Sequence, residues 1–303
     1  MNTKALHSIL FHALRLFAGA ALLLTFVAAP GAYGHQSGEA SGVKIVIIGA
    51  TAKTAKELIP QALWRGHEVT ALARRPYRIE HAPHERLTIV KGDVYDRASI
   101  ENALSGDEVV ISVYGPRIDL DSVVPETDLM SAGTTNIIEA MKKKGNTRLF
   151  ATSSTSVQEV KKRGYTVDTP KPDELTATSG LWFWNMRGPY IDMLKMEGIV
   201  LASDLDATVL RPGQMLELPA RGNVLITVDD ETPNRRIITY ADFAAFILDL
   251  VESRKYVGNI VGVYSDTVID FNSNIDFEAE AKKLKQAKLE AEADLAADAA
   301  REE

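Results

Sequence analysis

The amino-acid sequence predicts a doubly wound α/β fold, in which helices cover both faces of a parallel sheet. A run of β-branched residues over 43–48 stops at Gly49 and is followed at once by a helical pattern. Short apolar runs then alternate with amphipathic stretches, the order typical of parallel sheets. Residues 43–277 are enough for one sizeable domain of this kind.

The first strand is Val43–Ile48, whose β-branched residues, Val43, Ile45, Val46, Ile47 and Ile48, indicate burial on both faces. The first helix is expected from about Ala52 to Trp64, with its apolar face toward the sheet. Pro60 lies inside that pattern and is expected to kink the helix or end it early.

The turn between this strand and helix is typical of a dinucleotide-binding βαβ unit, where the helix N-terminus offers free N–H groups to a pyrophosphate. The fingerprint places glycine at three positions, which here are Gly49, Ala52 and Ala55. Alanine is ordinary at the third position, but at the second it puts a methyl group where the backbone approaches the phosphate. An ordinary βα turn without a ligand is the alternative.

The second strand, 68–75, ends in Arg74 and Arg75. An acidic residue at this place binds the ribose hydroxyls of NAD, whereas basic residues accommodate the 2′-phosphate of NADP. Two guanidinium groups favour NADP(H) over NAD(H), because they offer charge-assisted hydrogen bonds to a phosphate. The alternative is a pair of solvated surface arginines.

The remaining elements continue the alternation of strands and helices. A third strand, 87–91, runs into Asp93, whose carboxylate is placed either to accept from an adenine amino group or to cap a turn. Further elements are expected at 97–104, 108–114, 127–144 and 147–152. Ligands of such a sheet bind beyond the carboxyl ends of the strands. Irregular strands over 215–236 are expected to form a small extension on the substrate side.

Several segments together resemble the atypical short-chain dehydrogenase/reductases, the NAD(P)H-binding group that includes NmrA-like sensors and biliverdin reductase B-like flavin reductases. The segments are Ile47-Ile-Gly-Ala-Thr51, Ala73-Arg-Arg-Pro76, Lys91-Gly-Asp-Val94, Phe150-Ala-Thr-Ser-Ser154, Leu205-Asp-Ala-Thr-Val-Leu-Arg-Pro-Gly213 and Thr239-Tyr-Ala-Asp-Phe-Ala-Ala245. The resemblance covers about residues 43–264 and implies a Rossmann-like fold.

The resemblance also implies a set of cofactor-binding residues. They are Gly49, Thr51, Ala52, Lys53 and Thr54 at the phosphates, Arg74 at the 2′-phosphate, Asp93 and Val94 at the adenine, Val113, Tyr114 and Gly115 at the ribose, Thr152 and Ser153 near the nicotinamide, and Arg211 and Pro212 beside the nicotinamide-side pocket.

The catalytic residues are less evident. The wider superfamily uses a Tyr-x-x-x-Lys pair as its proton donor, and no tyrosine here has a lysine four residues later. Tyr190 and Lys195 are five apart, so they form such a pair only across a helical bulge; otherwise Tyr190 lies near a helix start and Lys195 is solvated. Ser153 is a further candidate, able to polarise a carbonyl or simply to satisfy backbone groups.

An insertion or lid over the pocket is expected in residues 161–189. Its aromatic run, Trp182, Phe183 and Trp184, is suited to stacking on a flat or aromatic small-molecule substrate. Packing of the same rings against the following helix is the alternative.

The two ends of the chain differ in composition from the domain at 43–273. Residues 1–34 have basic residues followed by an apolar run and small residues, the pattern of a signal peptide for export to the periplasm or outside the cell. An uncleaved membrane anchor through residues 9–29 is the alternative. Residues 35–42 form a linker, and 274–303 form a charged, alanine-rich helical tail.

The composition of the chain disfavours some classes of binding partner and excludes some kinds of chemistry. The net charge of −7 disfavours nucleic acid and anionic membranes, and the lack of cysteine excludes disulfides and a thiol nucleophile. No metal-ligand spacing is visible. Two hypotheses follow: an NADPH-dependent reductase of a small organic acceptor by direct hydride transfer, or a non-catalytic NAD(P)-binding sensor of the NmrA-like type.

Overall fold

The structure is a computed structural model that describes residues 42–116, 126–170, 184–233 and 236–266. The N-terminal segment 1–34, the linker to residue 41 and the tail 274–303 therefore lie outside the described residues. The secondary-structure elements, in chain order, are β1 (Lys44–Ile48), α1 (Lys53–Trp64), β2 (Glu68–Ala73), β3 (Leu87–Lys91), α2 (Arg97–Ala103), β4 (Val109–Ser112), α3 (Leu129–Lys144), β5 (Arg148–Thr152), α4 (Val157–Arg163), α5 (Arg187–Leu201), β6 (Asp206–Pro212), β7 (Gln214–Leu216), β8 (Val224–Val228), β9 (Ile237–Thr239), α6 (Tyr240–Val251) and β10 (Ile260–Ser265).

The main sheet has eight strands in the order β3-β2-β1-β4-β5-β6-β10-β8. All neighbouring strands are parallel except β8, which pairs antiparallel with β10. The strand order reverses between β1 and β4, which creates a crevice at their carboxyl ends. The prediction of a doubly wound, Rossmann-like α/β fold is confirmed.

The core consists of two apolar layers, one on each face of the sheet. Ile45 and Ile47 of β1 point into the layer formed with α1 and α6, while Val46 and Ile48 point into the layer formed with α3 and α5. All four side chains are at most 1% exposed. Because β1 is buried on both faces, its carboxyl end is a fixed point for the crevice.

Helix α1 passes through Pro60 and ends at Trp64, so the expectation of an early end is wrong. A proline inside a helix removes one backbone hydrogen bond and costs about 3 kcal/mol. Buried residues on both sides of Pro60, Leu58 and Ala62 among them, pack into the sheet and offset that cost.

The segment after β6 is more regular than the sequence indicates. β7 and β9 form a separate two-stranded parallel sheet, whereas β8 joins the edge of the main sheet. The partner of β8 is β10, more than thirty residues later in the chain, so local sequence patterns carry no signal of this pairing. None of the helices in the described ranges is both long and apolar enough to cross a membrane.

A buried carboxylate secures the end of the sheet opposite the crevice. Glu108, just before β4, accepts hydrogen bonds from the N–H of Ser105 at 2.8 Å, the N–H of Gly106 at 2.9 Å and Nδ2 of Asn146 at 2.8 Å. Burial raises its pKa, but these hydrogen bonds outweigh that effect and lower the pKa to about 2.

We expect Glu108→Gln to lower the free energy of unfolding at neutral pH by about 1–3 kcal/mol, because it leaves buried donors without the carboxylate. The folded-state pKa is depressed, so the stabilisation is present above the unfolded value and is lost as pH falls from about 4.5 toward 2. Denaturant unfolding across this pH range measures both effects.

The matched control is Glu85→Gln, since Glu85 is 82% exposed and pairs only loosely with Arg86. Its unfolding is expected to match the unaltered protein. Equal stability of the Glu108 and Glu85 variants would show that the hydrogen bonds to Glu108 contribute no net stability.

Candidate functional site

The turn after β1 requires glycine for two reasons. Gly49 has a φ of +93°, in the left-handed region. A Cβ at this position would lie 2.6 Å from the backbone nitrogen of Tyr114, just after β4. The turn therefore brings the ends of β1 and β4 closer together than any side chain allows.

The N-terminus of α1 is open to an anion. Ala52 is the N-cap, with no side-chain hydrogen bond at the cap and no acidic residue in the first turn. The first N–H groups of the helix are therefore available to a phosphate. Ala52 has φ −69° and ψ 154°, an ordinary backbone conformation for alanine, so its departure from glycine introduces no backbone strain. Ala55 is fully buried against the sheet.

Two residues predicted at the phosphates contact β7 and the residue that follows it. Lys53 Nζ lies 2.7 Å from Glu217 Oε2, and this hydrogen bond raises the pKa of Lys53. Thr54 is buried and its hydroxyl lies 3.8 Å from Met215 Sδ. Thr51, by contrast, is exposed.

The second helix N-terminus on this side, that of α3, is already occupied. Asp192 of α5 accepts from the N–H of Met130 at 2.7 Å and the N–H of Ser131 at 3.2 Å. This carboxylate is completely buried and takes the place of a local N-cap. Of these two helix N-termini, that of α1 is the one whose first N–H groups have no side-chain carboxylate among the described residues.

The residues predicted for the 2′-phosphate lie directly after β2. Arg74 and Arg75 are both exposed, and neither guanidinium group makes a hydrogen bond or an ion pair with the described part of the chain. Their guanidinium groups are thus available to a ligand at the edge of the crevice.

On the predicted adenine side, Asp93 acts as a turn residue. Its Oδ1 accepts from the N–H of Tyr95 at 3.0 Å, and Val94 is buried in the core beside α3. Asp93 therefore has the turn-capping role, which is one of the two roles that the sequence predicts for it. An adenine contact would use the other carboxylate oxygen.

The predicted ribose-lining segment follows β4. Val113 is buried, Gly115 is exposed, and the hydroxyl of Tyr114 donates to the carbonyl of Met130 at 3.3 Å. Burial raises the pKa of Tyr114 well above its ordinary value. The phenol is therefore fixed to α3 in its neutral form, and it is the backbone of Tyr114 that borders the crevice.

At the carboxyl end of β5, the side chain of Thr152 is only 9% exposed and its hydroxyl has no hydrogen-bond partner in the described part of the chain. Leaving a buried hydroxyl unpaired costs about 1–3 kcal/mol. A ligand that pairs with this hydroxyl would recover that cost.

A buried polar cluster, Ser153, Glu197 and Arg211, joins three elements at this edge. The hydroxyl of Ser153 donates to Glu197 Oε1 at 2.6 Å. Arg211 donates to the same carboxylate twice, from Nε at 2.8 Å and from Nη2 at 2.6 Å. The side chains of Glu197 and Arg211 are 5% and 13% exposed. Pro212, the last residue of β6, is buried beside them.

Glu197 is the member of this cluster that sequence reasoning missed. It lies on α5 among buried residues, with Met193, Met196 and Val200 around it on the same helical face. An acidic residue inside an apolar helical face is the signal that would have identified it. Its partner could not be read from the sequence, since Arg211 lies on a different element.

The structure does not bring Tyr190 and Lys195 together. Helix α5 is unbroken from Arg187 to Leu201, so residues five apart lie about 140° apart around it. Tyr190 is 4% exposed and packs in the core, while Lys195 is exposed. Tyr190 therefore lies near the start of the helix and Lys195 is solvated, as the alternative interpretation proposes.

Of the aromatic run, only Trp184 lies within the described residues; Trp182 and Phe183 fall outside them. The guanidinium of Arg187 lies 4.4 Å from the centroid of the Trp184 ring, and the indole N–H donates to the carbonyl of Pro170 at 3.2 Å. Trp184 thus packs on the helix that follows, as the alternative proposes.

The described residues offer no group of three His, Asp or Glu side chains able to hold a metal ion. What they do assemble at one edge is a glycine turn, an open helix N-terminus, two exposed arginines and a buried polar cluster. The first three are features of a Rossmann-like dinucleotide-binding protein.

A family model described as NAD(P)H-binding matches residues 49–254, and the chain belongs to this family. Among its relatives, the uncharacterised protein YwnB of Bacillus subtilis is 25% identical over 74% of this chain and 99% of that protein. The isoflavone reductase homolog of Zea mays is 29% identical over 35% of this chain, and the match spans only 33% of the maize protein.

Solved structures show the same fold. The wide-type short-chain dehydrogenase/reductase of Veillonella parvula in complex with NADP has a TM-score of 0.56 and 18% identity, over 75% of this chain and 96% of that one. ChuY of Escherichia coli O157:H7, described as an anaerobillin reductase, has a TM-score of 0.58 and 17% identity, over 75% and 100%. The predicted resemblance to short-chain dehydrogenase/reductases is confirmed.

We expect Gly49→Ala to destabilise the protein more than Gly66→Ala. Both residues have positive φ, which costs an alanine about 1–2 kcal/mol. A methyl group at Gly66 meets nothing within 4 Å, whereas at Gly49 it collides with the backbone of Tyr114. That collision should add about 1–3 kcal/mol.

Equilibrium unfolding of the two variants beside the unaltered chain measures the difference. Equal losses of stability would mean that only the backbone conformation, and not the close approach to β4, requires glycine at position 49.

Proposed function

We propose that this protein is an NADPH-dependent reductase that transfers a hydride directly to a small organic acceptor. The observation that carries the proposal is the buried cluster Ser153, Glu197 and Arg211, which lies at the carboxyl ends of β5 and β6, the edge where doubly wound folds bind their ligands. A purely structural ion pair would be a poor stabiliser there, because desolvating two charges offsets most of their attraction.

The residues at the crevice fit the cofactor. The uncapped N-terminus of α1 is suited to the diphosphate, and Arg74 and Arg75 are suited to a 2′-phosphate. The NADP complex of the Veillonella relative supports this choice over NAD. When bound, NADPH supplies a hydride to the acceptor carbon, a solvent proton completes the reduction, and NADP⁺ remains.

The protein's contribution to such a reaction is positioning rather than a tyrosine acid. Arg211 is held at a fixed angle by two hydrogen bonds to Glu197, so its remaining N–H groups have a defined direction. A fixed guanidinium can orient an acceptor and stabilise charge that develops on it. This role needs no Tyr-x-x-x-Lys pair.

A flat, conjugated acceptor is the substrate class we favour. Of the aromatic run, Trp182 and Phe183 support it on composition. The names of two similar proteins, an anaerobillin reductase and an isoflavone reductase homolog, point to acceptors of the same shape. Nucleic acid is not a proposed partner of this acidic chain.

The second candidate is a sensor that binds NAD(P) without turning it over. The separation of Tyr190 from Lys195 favours it, as does the engagement of Lys53 by Glu217. Both proposals share the cofactor site and differ only in hydride transfer.

For location, we propose export through the signal-like segment 1–34, with anchoring through residues 9–29 as the alternative. The acceptor and the cofactor would then meet the protein outside the cytosol.

We expect replacement of both Arg74 and Arg75 by alanine to weaken NADPH binding at least tenfold and to leave NADH binding nearly unchanged, because only NADPH carries the 2′-phosphate. Titration of the intact chain, followed by protein fluorescence, gives both affinities. Arg78→Ala is the matched control, since Arg78 is a nearby exposed arginine without an assigned role. Parallel losses for both nucleotides would contradict the assignment of these arginines to the 2′-phosphate.

The reductase and the sensor are separated by turnover. With NADPH bound, we expect loss of the reduced-nicotinamide absorbance when quinones, aldehydes or conjugated lactams are added. We expect Arg211→Ala to reduce that rate at least tenfold. NADPH binding without oxidation by any of these acceptors would instead favour the sensor.

A further inference from the structure

The main sheet ends at β8, whose outer edge has no neighbouring strand within the described ranges. An uncovered edge is a template for pairing with another chain, and proteins usually protect it with charged residues, proline or a bulge. The sequence of β8, Val-Leu-Ile-Thr-Val, has neither charge nor proline, and its register with β10 is continuous. Leu225 is 44% exposed and Val228 is 39% exposed. The edge is therefore apolar and unprotected.

The pairing of β8 with β10 determines which of its backbone groups face outward. The N–H of Asp229, directly after β8, donates to the carbonyl of Ile260 at 2.8 Å and so continues the antiparallel register of the two strands. In an antiparallel ladder, residues that bond to one neighbour alternate with residues that face the other side. Counting back from Asp229, the residues of β8 whose N–H and C=O groups point away from the sheet are Val224, Ile226 and Val228.

These three outward residues are spaced evenly about Ile226. A second β8 running in the opposite direction, related by a two-fold axis at Ile226, places Val224 opposite Val228 and Ile226 opposite its own counterpart. In this register each outward residue exchanges two hydrogen bonds with the residue opposite, and any other register pairs fewer of them. The edge is therefore complementary to a copy of itself, as an isologous interface requires.

The charges at the two ends of β8 favour the same arrangement. Arg221 is exposed before the strand, and Asp230 and Glu231 are exposed after it. An antiparallel copy brings the basic end of one strand beside the acidic end of the other, whereas a parallel copy brings like charges together.

We propose that β8 is a dimerisation edge, at which two copies of this chain pair antiparallel through residues 224–228 and continue one sheet into the other. A five-residue strand pair is smaller than a standard interface, so the dimer is weak and depends on protein concentration. It requires neither cofactor nor turnover and is independent of the proposed reductase.

Single cysteines report this register, because the chain has no cysteine of its own. Ile226→Cys places two thiols across the two-fold axis, where the Cα atoms of a hydrogen-bonded pair lie about 5.5 Å apart, within disulfide range. We expect this variant of the full chain to form disulfide-linked dimers under mild oxidation, measured by non-reducing electrophoresis.

Two further cysteine variants are the controls. Leu225→Cys tests the register, because its counterpart is a diagonal neighbour about 7–8 Å away, beyond disulfide range. Ile89→Cys tests random collision, because Ile89 is 41% exposed on β3, the other edge strand of the sheet. Both should cross-link at least tenfold more slowly than Ile226→Cys.

A measurement without cysteine uses sedimentation velocity over a range of protein concentrations. Val228→Lys places a charge on the edge and should abolish the dimer, because edge lysines oppose strand pairing. Val257→Lys is the matched control, since Val257 is 37% exposed and lies outside β8. It should leave the dimer intact.

Equal cross-linking of the three cysteine variants, or a dimer that persists in Val228→Lys, would overturn the proposal and assign association to another surface. A chain that stays monomeric, with the thiol of Ile226→Cys protected from a maleimide, would also overturn it. In that case another segment of the same chain would cover β8.

Discussion

The close approach of Gly49 to the backbone of Tyr114 is the constraint on which the site depends. β1 is buried on both faces, so its carboxyl end cannot move, and the absence of a Cβ lets the end of β4 lie directly against it. The crevice at the strand reversal, the direction of α1 and the position of the open N-terminus all follow from this contact.

A second constraint is electrostatic and concerns charge placed in low-dielectric surroundings. Four buried carboxylates of the described residues, Glu108, Asp192, Glu197 and Asp242, each have a distinct set of donors. Glu108 ties loops at the end of the sheet away from the crevice, and Asp192 caps a helix from a neighbouring one. Glu197 joins Ser153 after β5 to Arg211 of β6 at the ligand edge, where a function can explain its cost in desolvation.

Much of the fold was predictable because the signals are local. The apolar runs and the turn at Gly49 set the strands and α1 to within a few residues. The helix does not end early at Pro60, because packing on both sides of it outweighs its local penalty. The pairing of β8 with β10 and the bond between Ser153 and Glu197 were not predictable, since their partners are brought together only by the sheet.

The sequence by itself determined the class of fold, the position of the glycine turn and the arginines after β2, because each depends on residue types within a short stretch. Tertiary structure alone decided which side chains are engaged. It directed Lys53 to Glu217, separated Tyr190 from Lys195 and joined Glu197 to Arg211. The reason is physical: hydrogen bonds and ion pairs act over a few ångströms in space, whatever the separation of their partners along the chain.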